Sequence, residues 1–137
     1  MIEFALVFPM LLLVMLGIMD FGFLFQHYEV VTNAAREGAR IAVLPGYAAA
    51  DVQARVDQYI QAGGLGPAGT ASTVVGAPQA VSIGGRCMTV VPVTVSYNNT
   101  YLFLGPIVGL MGGGSFTNKT LVATSTMRSE SPGIACP

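Results

Sequence analysis

The sequence predicts an α+β fold with a long hydrophobic N-terminal helix, a short second helix and a small antiparallel β-sheet in the C-terminal body. Three observations lead to this prediction. Residues 4–19 carry no charge, residues 29–57 place charged side chains at helical spacing, and β-branched residues follow a period of two from residue 72 onward. We expect residues 1–44 to form the hydrophobic helix and residues 45–137 to form the α+β body.

The composition excludes several classes of protein. Of 137 residues, 53% are hydrophobic and 9% are charged, whereas a soluble domain carries about 25% charged residues. A disordered chain would need low hydrophobicity and high net charge, and a formal net charge of −1 gives no basic field for nucleic acid. Three classes remain: a membrane protein, a membrane-anchored secreted domain, and a subunit buried in a larger assembly.

The N-terminal segment, residues 4–25, is apolar apart from Asp20. A membrane-spanning helix needs about 20 mostly apolar residues, so the segment is long enough. No basic region precedes it and no small-x-small cleavage site follows it, which is unlike a secretory signal peptide. Pro9 removes one helical hydrogen bond and therefore predicts a kink or local unwinding.

Two acidic residues distinguish this segment from a plain anchor. A carboxylate in hydrocarbon costs about 2.5–3.5 kcal/mol on insertion scales. Glu3 therefore either marks the membrane interface or pairs with the N-terminal amine of a neighbouring copy, which would offset the cost of burial when subunits stack. Asp20 also needs a partner, and the candidates are His27, Arg36 of a neighbouring copy, or water at the end of the span.

The helix is predicted to continue past the apolar segment to about residue 43, where Pro45-Gly46 ends it. At 1.5 Å per residue its length is roughly 60 Å, so about half must project from the membrane. Its polar side chains share one face, and small residues on the opposite face permit close approach of another element. The polar set is Glu29, Asn33, Arg36, Glu37 and Arg40, and the small set is Val31, Ala34, Ala35, Gly38 and Ala42.

A second helix is predicted over residues 49–62, because an apolar stripe recurs at helical spacing before the stop at Gly63-Gly64. The stripe consists of Val52, Val56, Tyr59 and Ile60.

Period-two patterns predict the strands. Residues 88–97 and 115–128 form two long candidates, and residues 73–83 hold one or two shorter strands broken at residues 76–78. Pro92 lies inside the first long strand and indicates either an edge strand or a bulge. Residues 104–114 are apolar and glycine-rich, which predicts a loop or a short helix.

The sequence contains no catalytic constellation, so we expect no enzyme, no cofactor and no metal site. His27 is the only histidine, and no nucleophile–base set can be assembled around it. Cys87 and Cys136 lack zinc-site spacing. They are either two free thiols or, as we favour, a disulfide that stabilises by ~4 kcal/mol and implies an oxidising compartment. Asn98 and Asn118 begin Asn-x-Thr triplets and are weak candidates for glycosylation.

Three stretches together resemble the TadE-like pilins of the tight-adherence (Tad), type IV-like pilus system. They are IEFALVFPMLLLVMLGIMDFG at the start, TNAAREGAR at residues 32–40, and TLVATSTMRSE at residues 120–130. The resemblance implies a pilin-like lollipop fold and a precursor held in the inner membrane. It also implies cleavage by a prepilin peptidase and extraction of the helix into an extracellular filament at the cell surface or into an assembly complex.

The leading hypothesis is therefore a structural pilin subunit. Its N-terminal helices would pack into a helical homopolymer, with Glu3 matching the family's acid near the mature N-terminus. The expected partners are copies of itself, other pilin-like subunits, the inner membrane, the prepilin peptidase and the assembly machinery, without nucleic acid. The alternatives are a minor pseudopilin that primes or caps assembly, and a single-pass membrane protein with a periplasmic binding or enzymatic domain. The predicted assembly residues are Glu3, Phe4, Pro9, Asp20, Asn33, Arg36, Glu37 and Arg40.

Overall fold

A computed structural model describes residues 2–67, 69–110, 112 and 118–129. The predicted α+β fold is confirmed. The elements in chain order are α1 (Ile2–Ala42), α2 (Ala49–Ala62), β1 (Ala71–Val75), β2 (Gln79–Ile83), β3 (Arg86–Thr100), α3 (Leu104–Leu110) and β4 (Asn118–Arg128).

Helix α1 has the predicted length and contains Pro9 in its interior. It carries a stretch that is long and apolar enough to cross a membrane, with a mean hydropathy of 2.3 and 6% of its residues buried. The helix ends where the amide of Leu44 donates to the Ile41 carbonyl and Gly46 takes a φ of 89°, a conformation that favours glycine.

Helix α2 also has the predicted bounds. The Asp51 carboxylate accepts a hydrogen bond from the Ala48 amide at 2.8 Å, and an acid in the first turn suits the helix dipole. Val52, Val56 and Ile60 are buried as predicted. Tyr59, which shares the spacing of this stripe, is 39% exposed.

Strand β3 is the inner strand of the sheet. It pairs antiparallel with β1 and β2, and it also pairs with β4. The edge-strand alternative for Pro92 is therefore wrong. Val93 is opposite β1 and Val90 is opposite β2, so Pro92 falls between these two registers, where neither strand needs its missing N–H. Its carbonyl instead accepts a hydrogen bond from the Gly76 amide at 2.8 Å.

The shorter strands agree with the break predicted at residues 76–78, and the region predicted as a loop or short helix contains α3. Gly84 and Gly85 both have positive φ between Ile83 and Arg86, which is typical of a tight two-residue hairpin. Strand β4 begins at Asn118, while residues 115–117 of the predicted strand lie outside the described residues.

The chain divides into two compact units. We call Met1–His27 with Asn98–Thr120 the apolar unit, and Tyr28–Tyr97 with Leu121–Pro137 the core unit. The buried hydrophobic cluster lies in the core unit and joins the second half of α1, α2 and the sheet. A Cβ placed on Gly38 would come within 2.8 Å of Val56 Cγ2, so the small face of α1 permits close packing, as predicted. The predicted division at residue 44 into a membrane part and an extracytoplasmic part stays a prediction.

Candidate functional site: an exposed apolar helix and a buried carboxylate

The first half of α1 presents a continuous apolar surface. Large hydrophobic side chains are exposed on all sides of the helix, as at Leu6 (77%), Met10 (74%) and Ile18 (69%). Exposed apolar patches of this extent mark a protein or membrane interaction. Gly17 and Gly22 leave open space on this surface, because a Cβ at either position would meet no atom within 4 Å.

The predicted assembly residues at the start of α1 belong to this exposed surface. Glu3 lies in the first turn and is exposed, where an acid is favoured by the positive end of the helix dipole. The rings of Phe4 and Phe8 stack at a centroid distance of 5.5 Å, as the i, i+4 spacing allows. Pro9 is exposed as well. An acid followed by exposed aromatic side chains is therefore available to a neighbouring molecule.

Asp20 is the exception in the apolar unit, because its side chain is buried, with 2% exposed. Its Oδ1 accepts a hydrogen bond from the Leu102 amide at 3.1 Å, and its Oδ2 accepts from Phe103 at 3.0 Å and from Leu104 at 2.6 Å. These amides lie at the start of α3, where the first turn of a helix has no acceptors of its own. The carboxylate of Asp20 thus caps α3 from a distant part of the chain.

The three backbone amides were not among the partners expected for Asp20. A sequence signal existed, because Tyr101, Leu102 and Phe103 precede α3 and none of them is a residue type that caps a helix. A helix without a local cap needs an acceptor from elsewhere. The sequence alone did not identify which acid supplies it.

A second polar contact lies about two helical turns away, between His27 and Asn99. The Nδ1 atom of His27 hydrogen-bonds to Oδ1 of Asn99, whose side chain is 3% exposed. A cavity of about 260 Å³ lies between the two polar contacts, lined by Asp20, Phe23, His27, Asn99, Thr100 and Leu102.

The charged residues of the second half of α1 form a separate cluster in the core unit. Oε1 of Glu37 accepts from Nη2 of Arg40 at 2.7 Å and from Nη2 of Arg55 at 2.9 Å. The hydrogen bond from Arg40 is the largest influence on the pKa of Glu37, and it lowers that pKa. Partial burial raises the pKa, but the hydrogen bond from Arg55 lowers it again, so that the pKa of Glu37 falls to about 2. Because Arg55 belongs to α2, this carboxylate links the two helices.

The other predicted polar residues on this face make fewer contacts. Arg36 is exposed and donates to Oδ1 of Asn33 at 3.4 Å, within the same helix. The four predicted polar residues of this face, Asn33, Arg36, Glu37 and Arg40, are thus all hydrogen-bonded within the core unit. Assembly roles for all four stay predictions.

The remaining candidate sites lie in or near the sheet. Cys87 lies in β3, opposite Ser82 of β2, and is not a free thiol. Cys136 lies outside the described residues, so the Cys87–Cys136 pairing stays a prediction. Asn98 and Asn118 are both exposed, and glycosylation of either stays a prediction. Among the residues that the structure describes, no group of three or more His, Cys, Asp or Glu side chains could hold a metal ion.

Residues 1–40 match the family model described as TadE-like protein. The match covers the first two stretches on which the sequence resemblance depends and confirms the resemblance there. The third stretch, residues 120–130, lies outside the match. The match indicates a protein associated with the Tad pilus, and the apolar helix indicates membrane anchoring in the cell envelope. No curated protein and no solved structure matches the chain.

Proposed function

We propose that this chain is a structural, non-enzymatic pilin subunit of a Tad-type extracellular filament. The observation that carries the proposal is the exposed apolar surface of α1 within the segment that matches the TadE-like family. A folded protein does not leave the fifteen large apolar side chains that are exposed between Phe4 and Phe25 in water. Lipid would cover these side chains in the inner membrane before assembly, and copies of the same helix would cover them in the filament.

When α1 leaves the lipid and associates with copies of itself, close packing favours the association more than hydrophobic burial does. Lipid tails are as apolar as leucine side chains, so helix association gains from close contact at small residues. Gly17 and Gly22 supply such positions, because the space above them is open. Glu3 is exposed at the end of the same helix and is suited to pair with the amine of an adjacent subunit. The other proposed partners are further pilin-like subunits, the prepilin peptidase and the assembly machinery.

Quantitative mass spectrometry of purified surface appendages tests the proposal. We expect this chain to be the principal component of the fibres. Recovery at a few copies per fibre would instead assign it a minor role in priming or capping assembly. Recovery in inner-membrane fractions alone would contradict the filament function.

Replacement of Glu3 distinguishes the two pilin hypotheses, a structural subunit and a minor pseudopilin, from the hypothesis of a single-pass binding protein. Under the proposal, Glu3→Ala leaves the chain in the membrane and abolishes its incorporation into filaments. Glu3→Gln is the matched control for side-chain size, and it should fail in the same way because the charge is missing. Unchanged filaments with both variants would argue against the pairing of Glu3 with an amine.

A further inference from the structure

We infer that α1 is accompanied in the membrane by a second embedded element, formed by residues 102–110, whose partner is the acyl chains of the lipid bilayer. The inference rests on membrane insertion of α1 and does not depend on filament assembly. All the residues that carry it belong to the apolar unit.

The first step concerns the direction in which the chain runs at the end of β3. Asn99 is hydrogen-bonded to His27, and the amides of residues 102–104 are hydrogen-bonded to Asp20. His27 and Asp20 are seven residues apart on α1, or about 10 Å along the helix axis. Between Asn99 and residue 102 the chain therefore descends along α1 toward the N-terminal end of the helix.

The second step places that descent relative to the membrane. If the apolar segment, residues 4–25, occupies the hydrocarbon, Asp20 lies about 8 Å inside the boundary at Phe25. His27 lies beyond that boundary. Amides bonded to the Asp20 carboxylate must share its depth, so the start of α3 lies below the level at which the hydrocarbon begins.

The third step is that this segment is built to tolerate such a depth. The sequence has no Asp, Glu, Lys or Arg between Arg86 and Lys119, and residues 102–110 read LFLGPIVGL. Leu102 is 65% exposed and Leu110 is 92% exposed. Backbone at this depth must have its polar groups satisfied within the protein, since no water is present to bind them. Asp20 satisfies the amides of residues 102–104, and these amides in turn satisfy a carboxylate that would otherwise be costly to bury.

Single tryptophan substitutions test the inference, because the chain contains no tryptophan. Leu110→Trp in the full chain is reconstituted into phosphatidylcholine vesicles whose acyl chains carry bromine, which quenches indole fluorescence on contact. Phe4→Trp reports on the α1 span, and Tyr47→Trp reports on an exposed site in the core unit. Leu102→Trp repeats the measurement at the other end of the segment, in case Leu110→Trp does not fold.

We expect brominated acyl chains to quench Leu110→Trp about as strongly as Phe4→Trp and several-fold more than Tyr47→Trp. Aqueous acrylamide should give the reverse order. If Phe4→Trp is quenched by the lipid but Leu110→Trp responds to acrylamide alone, the inference is overturned while membrane anchoring stands. Shielding of Leu110→Trp from both quenchers would mean that protein covers it, which overturns lipid as the partner. Absence of lipid quenching at both sites would overturn the inference and membrane anchoring together.

Discussion

The two compact units of this molecule are organised in opposite ways. The core unit buries valines, alanines and Ile60 between α1, α2 and the sheet, and none of its described charged side chains is fully buried. The apolar unit exposes its large hydrophobic side chains and buries the polar side chains of Asp20 and Asn99. The core unit therefore has the organisation of a domain in water, whereas the apolar unit requires a surrounding of lipid or protein.

Truncation of Ile60 is expected to have the largest effect on stability. Ile60 is 1% exposed within the core cluster, and replacing a buried isoleucine by alanine costs about 2–5 kcal/mol. Chemical unfolding of full-length Ile60→Ala in mild detergent, followed by circular dichroism, measures the loss. A loss below about 1 kcal/mol would mean that the core unit does not unfold as a cooperative domain.

Replacement of Asp20 is expected to release the start of α3 and to leave the core unit unchanged. Hydrogen bonds to a charged group contribute about 1.5–3 kcal/mol, so the amides of residues 102–104 should exchange about 10- to 100-fold faster in Asp20→Ala. Asp20→Asn is the matched control and should give a smaller increase, because it keeps one acceptor oxygen. Hydrogen exchange measures the effect, and the amides of Val93 and Val95 serve as internal references. Equal exchange in all three proteins would disprove the capping function.

The Glu37 cluster is expected to make the stability of the core unit depend on pH. Its arginine partners lower the pKa of Glu37 from the ordinary 4.5 to about 2 in the folded state. The contribution is therefore complete above about pH 4.5 and is lost as the pH falls toward 2. We expect it to be about 1 kcal/mol, because the arginines are solvent-exposed.

Unfolding at pH 6 and pH 2.5 of the natural sequence and of Glu37→Gln measures this contribution. The difference in stability between the two proteins should shrink at the lower pH. Other acids titrate in both proteins, so their effects cancel in the comparison. A difference that stays constant with pH would show that charge on Glu37 does not stabilise the link between α1 and α2.

Truncation of Ile18 makes the same chemical change as Ile60→Ala in the opposite surroundings. Its side chain is 69% exposed, so Ile18→Ala should alter the free energy of unfolding by less than about 0.5 kcal/mol. Its effect should instead be seen in the yield of filaments, where neighbouring copies would cover this side chain. Destabilisation of the isolated subunit comparable with that of Ile60→Ala would contradict the division between the two units.

Local patterns were sufficient to predict much of this fold. Helices α1 and α2 have the predicted bounds because their patterns end at clear stop signals, Pro45-Gly46 and Gly63-Gly64. The close approach at Gly38 could be predicted because small residues recur on one helical face. The resemblance to TadE-like proteins was readable for the same reason, since its first two stretches lie entirely within α1.

Features that depend on distant residues were not predictable. Pro92 indicated an edge strand or a bulge, yet β3 is central because the proline falls in the gap between the registers of β1 and β2. The partners of Asp20 are amides more than 80 positions away in the sequence, and backbone amides carry no side-chain signature. Tyr59 shares the spacing of the apolar stripe but is 39% exposed, because an amphipathic ring can remain partly in solvent.

The central claim is that copies of the same helix cover the exposed surface of α1 in the filament. Site-specific photo-cross-linking in intact surface filaments tests it most directly, with a photoreactive residue in place of Leu11, which is 62% exposed. The account predicts a cross-linked dimer whose attachment site, identified by mass spectrometry, lies within residues 3–25 of a second copy. Cross-links to lipid or to an unrelated protein, without that dimer, would contradict it.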